Sequence, residues 1–329
     1  MGLHESIFMH AKEVTPIALF VYNRLGHTQR TIEALKKNIL AEDSDLIVFS
    51  DAQKSEAEAD AVCEVRKFIR EIDGFKSVSL VEREVNLGLA RSIIDGVTTI
   101  VSKYGRIIVL EDDMVTSQYF LTYMNEALEK YAKNDRVASI HGYVYPVKKP
   151  LPETFFMRGA DCWGWATWRR AWAHFNPDGQ YLLDELRRKK LINEFDFNGA
   201  YPYSTMLEDQ IRGKNDSWAV RWYAAAFLKN KLTLYPGRSL VLNIGNDASG
   251  VHCGKTSQFY VSLSQTSINL QDIQVRPSFQ AIQAFEVFFR GTFWRRSVRK
   301  ILAIKVLGRI KSCVRCWIRT NNAVSEKHR

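Results

Sequence analysis

Five short apolar runs, separated by charged helical stretches, constrain this chain more than anything else in it. Residues 17–22 (IALFVY), 46–50 (LIVFS), 77–82, 106–110 (RIIVL) and 137–141 have the length and character of strands. The first two are apolar almost throughout, which suits strands covered on both faces in a parallel sheet. Between the runs the sequence predicts helices over 28–40, capped near Thr28, and over 56–72, 89–103 and 117–133. Strands and helices that alternate through short links predict an α/β fold, a mostly parallel, Rossmann-like central sheet flanked by helices. Ligands of such sheets gather at the carboxyl ends of the strands. Tyr22, Asn23, Arg24, Asp51, Asn86, Arg91 and the triplet Glu111-Asp112-Asp113 fall at or just beyond those ends.

After residue 145 the rhythm changes. Aromatics crowd into 163–175 (WGWATWRRAWAHF), and helices are expected at 163–174, 180–191, 204–212 and 217–230, with short strands at 232–236 and 240–244. This part reads as a lobe packed beside the sheet. The expected organisation is therefore a first half over 1–145, a second half of the same domain over 146–255, and a C-terminal extension over 256–329. With 46% hydrophobic residues in 329, the chain can bury a large core, which excludes disorder.

The five cysteines are odd in number and scattered, and residues 1–16 lack the apolar stretch of a secretory signal. A reducing, cytoplasmic setting is expected. Cys313 and Cys316 form a lone C-x-x-C without the second pair that zinc needs. No run is long and apolar enough to span a bilayer as a helix. The net charge is +10, and residues 290–319 hold ten basic side chains and no acidic one, so the body is close to neutral.

Three successive carboxylates at the end of a buried strand repel one another. A hard divalent cation would offset that repulsion, and Mg²⁺ or Mn²⁺ held by one or two carboxylates shares its shell with substrate phosphates. The alternative is a solvated acidic turn. The strand-end position favours the metal site.

A strand ending in this triplet resembles the D-x-D signature of GT-A glycosyltransferases. The EDD variant is similar to that of the N-acetylglucosaminyltransferase I family. TPIALFVYNR resembles the first strand of these enzymes, whose end meets the nucleotide. Asp51 matches the acid that contacts the base, and NLGLARS (86–92) resembles the N-x-G motif of family-two-like transferases. NDSWAVRWY and LTLYPGRSLVLNIGNDASGVHCG resemble the acceptor half.

The resemblance spans about residues 15–255. It implies an inverting, metal-dependent transfer of a sugar from a nucleotide-sugar, UDP-linked by expectation, to a glycan or lipid-linked acceptor in surface polysaccharide synthesis. Tyr22, Asn23, Arg24, Asp51, Asn86, Arg91, Glu111 and Asp112 would bind the donor. Asp113 would hold the metal, with His252 as a further ligand or a diphosphate contact.

The attacking hydroxyl needs a base, and two carboxylates compete for that role by resemblance: Asp216, which also suits a helix cap, and Asp209. Trp163, Trp165, Trp168 and Trp172 recur at near-helical spacing, a core pattern, yet Trp163 or Trp165 would suit an acceptor sugar. Lone His141 reads as a satisfied strand-end residue.

From Phe288 to Ile318 basic and apolar residues interleave. That pattern suits an anionic membrane surface, which would make the protein peripheral on the inner face of the cell membrane. A docked helix is the alternative, and no nucleic-acid-binding motif accompanies the charge. A sugar nucleotidyltransferase would carry a glycine-rich loop where NRLGHTQR has one glycine. A non-catalytic carbohydrate-binding protein on the same fold would have lost the carboxylates.

Overall fold

The computed structural model describes residues 14–247 and 256–291. The first half alternates as expected: β1 (Ile17–Val21), α1 (Leu25–Lys36), β2 (Asp45–Ser50), α2 (Ala59–Arg70), β3 (Ser77–Glu82), α3 (Gly88–Tyr104), β4 (Arg106–Glu111), β5 (Met114–Thr116), α4 (Phe120–Lys130) and β6 (Val137–His141). β1, β2, β3 and β4 all run parallel. Every residue of β1 is buried, as a strand covered on both faces requires. β3 is the half-exposed edge.

α3 shows why these segments fold as they do. Ala90, Ile93, Val97, Ile100 and Val101 recur at helical spacing and form its buried stripe. Gly96 lets the helix approach the sheet, because a Cβ there would lie 2.7 Å from the Phe20 ring. Gly105, at φ +77°, ends the helix by donating to the Val101 carbonyl. Thr28 is not a cap: it lies inside α1, and its hydroxyl donates to the Arg24 carbonyl.

The second half contains β7 (Thr154–Arg158), β8 (Trp165–Trp168), α5 (Arg169–Trp172), α6 (Gly179–Arg188), α7 (Ile192–Phe195), α8 (Tyr203–Ile211), α9 (Trp218–Leu228), β9 (Leu232–Pro236) and β10 (Val241–Asn243). It does not merely pack beside the sheet. Among the described residues one eight-stranded sheet runs β3-β2-β1-β4-β8-β6-β9-β7, so three of its strands come from this half. β8 is antiparallel to both β4 and β6, which leaves β6 pointing the same way as β4. β9 is parallel to β6, and β7 closes the edge antiparallel to β9. β5 and β10 pair separately.

The expected helix over 163–174 is therefore a strand followed by one short turn of helix. Trp163 and Trp165 are two residues apart, the spacing of one strand face. Gly164, at φ +65°, turns the chain into β8. Trp165 packs against Trp172, Trp218 and Trp222, so the tryptophan stripe is core.

A helix over residues 279–291 docks on the body. Ala281, Phe285 and Phe289 are almost wholly buried beside Phe155 and Tyr235. Phe289, expected to face a membrane, instead packs on Tyr145, Phe197 and Tyr201. Cys313, Cys316 and the basic stretch from 292 lie outside the described residues.

Candidate active site

The ends of β1 and β4 meet around one guanidinium. Arg24, immediately after the β1 end, donates through Nε to Asp112 (3.0 Å) and through Nη2 to both Asp112 and Asp113, the latter at 2.9 Å. Thr31 of α1 fixes the turn by donating to the Asp112 carbonyl at 2.7 Å. From the other side β10 delivers Ile244, whose N–H donates to the Asp113 carbonyl. Gly245 follows so closely that a Cβ would lie 2.1 Å from Asp113 Oδ2 and 3.3 Å from the Arg24 guanidinium. Any larger residue here would push the Asp113 carboxylate from its place beside Arg24.

Asp112 and Asp113 are buried, and Glu111 and Arg24 are half-buried. Burial pushes the Glu111 carboxyl up to about 8, with Asp113 and Asp112 adding repulsion. Burial also raises Asp112, to about 6, although Arg24 opposes it. Burial would lower Arg24, but its bonds to Asp112 and Asp113 outweigh that and hold it above the ordinary arginine value. When all are ionised, three carboxylates face one guanidinium, which leaves two negative charges.

Asp113 Oδ1 is buried without a partner. An orphaned carboxylate oxygen beside two further carboxyl groups fits a divalent cation held by one protein carboxylate, with phosphate and water completing its shell. Among the described residues no three His, Cys, Asp or Glu side chains converge to hold a metal unaided. His252 lies outside the described residues. His27, one turn along α1, sits 3.1 Å from Asp247.

The remaining residues expected to bind the donor form a second cluster at the ends of β1, β2 and β3. The Asp51 carboxylate accepts from the N–H groups of Ala52 (3.0 Å), Leu87 (2.9 Å) and Gly88 (2.8 Å), so it anchors the loop that begins α3. Asn86 donates to the Ala52 carbonyl at 2.6 Å. Tyr22 and Asn23 both reach Glu58, at 2.7 and 3.2 Å. Glu58 had no motif to mark it in the sequence. Arg66 closes the cluster on the carbonyls of Ser50, Asp51 and Arg83. Arg91 is exposed on the first turn of α3.

On the acceptor side several expectations change. Trp165 has no exposed surface and cannot meet a sugar. Trp163 is half-buried and packs on Tyr143 and Phe259. Asp216 does not cap α9; Ser217 does, by accepting from the Val220 N–H. The Asp216 carboxylate pairs instead with Arg221 at 2.9 Å and is 62% exposed. Asp209 pairs with Lys214 at 3.0 Å. His141 is wholly buried, and burial pushes it down. Its Nε2 accepts from the Trp163 N–H, but its Nδ1 has no partner, so it is only half satisfied.

No family model and no curated protein matches the chain. Among solved structures it is similar to S. aureus TarS residues 1–349, at 8% identity, TM-score 0.31 and 47% coverage of each chain. A second TarS structure matches at 10% identity and TM-score 0.32, over 48% of this chain and 29% of that one. The chain thus spans about half or less of these TarS chains. The mannosyltransferase PcManGT from Pyrobaculum calidifontis, in complex with GDP-Man and Mn²⁺, matches at 9% identity and TM-score 0.34, over 66% of this chain and 69% of that one. Likenesses this distant carry no argument about activity, which must come from the site.

The raised Glu111 carboxyl gives a pH signature. The folded ligand-free protein holds that proton more tightly than the unfolded chain does. Its contribution to stability is thus present below 4.5 and lost as pH rises towards about 8. Melting temperatures across that window should fall with pH in the wild type, and the fall should be shallower in Glu111→Gln. Identical slopes in the two proteins would contradict the burial argument.

Proposed function

We propose that this chain is an inverting, divalent-metal-dependent glycosyltransferase that moves a sugar from a nucleotide-sugar to a glycan or lipid-linked acceptor. The observation that carries the reading is the convergence of Arg24, Asp112 and Asp113 at the carboxyl ends of β1 and β4, with Asp113 Oδ1 left buried and unpartnered. Such strand ends are where α/β sheets take nucleotides. The Asp51–Asn86 cluster borders the same rim and would shape the base and ribose end of the donor site.

Leaving of the nucleoside diphosphate places negative charge on its departing oxygen. Asp113 would hold a divalent cation, with His252 as the candidate second ligand; when bound, that cation supplies charge stabilisation to the diphosphate. Arg24 orients Asp112 and Asp113 by pairing with both carboxylates. Trp163 offers a half-buried aromatic face to the acceptor. The sequence pattern offers Asp216 and Asp209 as acceptor-side bases.

The donor reading is tested by a thermal-shift screen of UDP-, GDP-, CDP- and dTDP-sugars with Mn²⁺. A ligand at about 100 times its dissociation constant stabilises by about 2.7 kcal/mol. At least one donor should shift the wild type, and Asp113→Asn should lose the shift while melting as a folded protein. No shift with any donor would contradict the reading.

The membrane part is a separate proposal, supported by the ten basic residues in 290–319. Each basic residue near an anionic leaflet contributes about 1 kcal/mol. Full-length protein should co-sediment with anionic vesicles in a salt-sensitive way. A chain ending at residue 291, which keeps the docked helix, should not. Equal sedimentation of the two would refute the attachment.

A further inference from the structure

The loop between β7 and β8 carries a carboxylate that no sequence motif marks. Gly159, at φ +99°, pins one end of this loop by donating to the Lys231 carbonyl at 2.9 Å. Gly164 pins the other by accepting from the Gly142 N–H at 2.7 Å. Between them Trp163 donates its N–H to the buried His141. Asp161 is thereby held among three side chains. Its Oδ2 lies 3.4 Å from the Tyr145 hydroxyl and 3.3 Å from that of Tyr235, and its Oδ1 lies 3.9 Å from His141 Nε2. Oδ1 also accepts from the Cys162 N–H at 2.9 Å.

Three features set Asp161 apart from the other acceptor-side carboxylates. First, it sits on the same rim as the triplet. β8 begins between Val109 of β4 and His141 of β6, both near the carboxyl ends of their strands. A Cβ on Gly164 would lie 2.6 Å from Val241, on the strand that carries Gly245 onto Asp113. The ends of β4 and β6 flank the start of β8, two strand spacings or about 10 Å apart. Second, no arginine or lysine pairs with Asp161 among the described residues, whereas Asp216 and Asp209 are committed to Arg221 and Lys214. His141 accepts the Trp163 N–H through the nitrogen nearest Asp161, so it brings that carboxylate no positive charge. Third, the Asp161 side chain is 19% exposed, and its two phenol bonds are long, so an oxygen remains free to accept.

We infer that Asp161 is the carboxylate that accepts the proton of the attacking acceptor hydroxyl, beside the Trp163 ring; this rests on the glycosyltransferase reading. In the step, the hydroxyl oxygen forms a bond to the anomeric carbon as the bond from that carbon to the diphosphate oxygen breaks. The electron pair leaves with the diphosphate, and the hydroxyl proton passes to Asp161. Tyr145 and Tyr235 are positioning residues that aim the carboxylate.

The test needs no identified acceptor, because water can attack in its place. The nucleoside diphosphate released from the donor found in the UDP-, GDP-, CDP- and dTDP-sugar screen is measured with Mn²⁺ present. Binding of that nucleoside diphosphate is measured in parallel by calorimetry. Asp161→Asn should lower kcat by roughly 10²–10⁴. Its nucleoside diphosphate affinity should stay within about threefold of wild type. Asp184→Asn, an exposed helix carboxylate, should match wild type in both. Wild-type turnover in Asp161→Asn overturns the inference, and full activity there with loss in Asp216→Asn returns the role to Asp216. If affinity falls together with turnover, Asp161 is structural and the inference fails. A wild type that neither binds nor cleaves any donor overturns the glycosyltransferase reading itself, and this inference with it.

Discussion

Three adjacent carboxylates at the end of a buried strand cannot all stay ionised without positive charge beside them. In this protein the charge comes from Arg24, and much of the architecture serves that contact. β1 must end where it does to present Arg24 to β4. α1 must start at once, so that Thr31 can hold the Asp112 carbonyl. β10 must pair with β5 to bring a residue without a side chain against Asp113. Removing one partner of a buried ion pair typically destabilises by roughly 3–5 kcal/mol, because the other is left uncompensated. Arg24 therefore does structural work before any ligand arrives. It neutralises only part of the charge, and the unpartnered Asp113 oxygen records the remainder.

The parallel half of the fold was legible because its central strands are apolar almost throughout and its helices are amphipathic. IALFVY and RIIVL have one reading each at that length. The triplet and Arg24 were legible as strand-end residues; the ion pairs that join Arg24 to Asp112 and Asp113 were not. The failures have physical causes. WGWATWRRAW carries tryptophans at spacings that serve a helix or a strand, and the choice was made by β4 and β6, which lie far away in sequence and flank β8. β7 begins just after LPE and lies buried, but the strand it pairs with, β9, lies some 80 residues on in the sequence. The Asp216 cap failed because the adjacent Ser217 competes for the same role. Glu58 and Asp161 were invisible because each gains meaning only from side chains on other strands.

The cluster around Asp161 is built differently from the one around Arg24. Around Arg24 the contacts are short and charged. Around Asp161 they are aromatic, with Tyr143, Tyr145, Tyr235 and Trp163 surrounding one carboxylate and one neutral histidine. Phe285 and Phe289 of the C-terminal helix buttress Tyr145 from behind. The helix over 279–291 is thus part of the wall behind Tyr145, and the basic stretch begins only beyond it.

The account depends on a divalent cation and a nucleoside diphosphate meeting at Asp113. A crystal of the protein grown or soaked with Mn²⁺ and the nucleoside diphosphate of the donor that binds would test this directly, because manganese gives an anomalous signal. The account predicts an anomalous peak coordinated by Asp113 and by the diphosphate, with the base lying towards Asp51 and Asn86. A nucleotide bound elsewhere, or a manganese peak that avoids Asp113 while Arg24 keeps both aspartates, would contradict it.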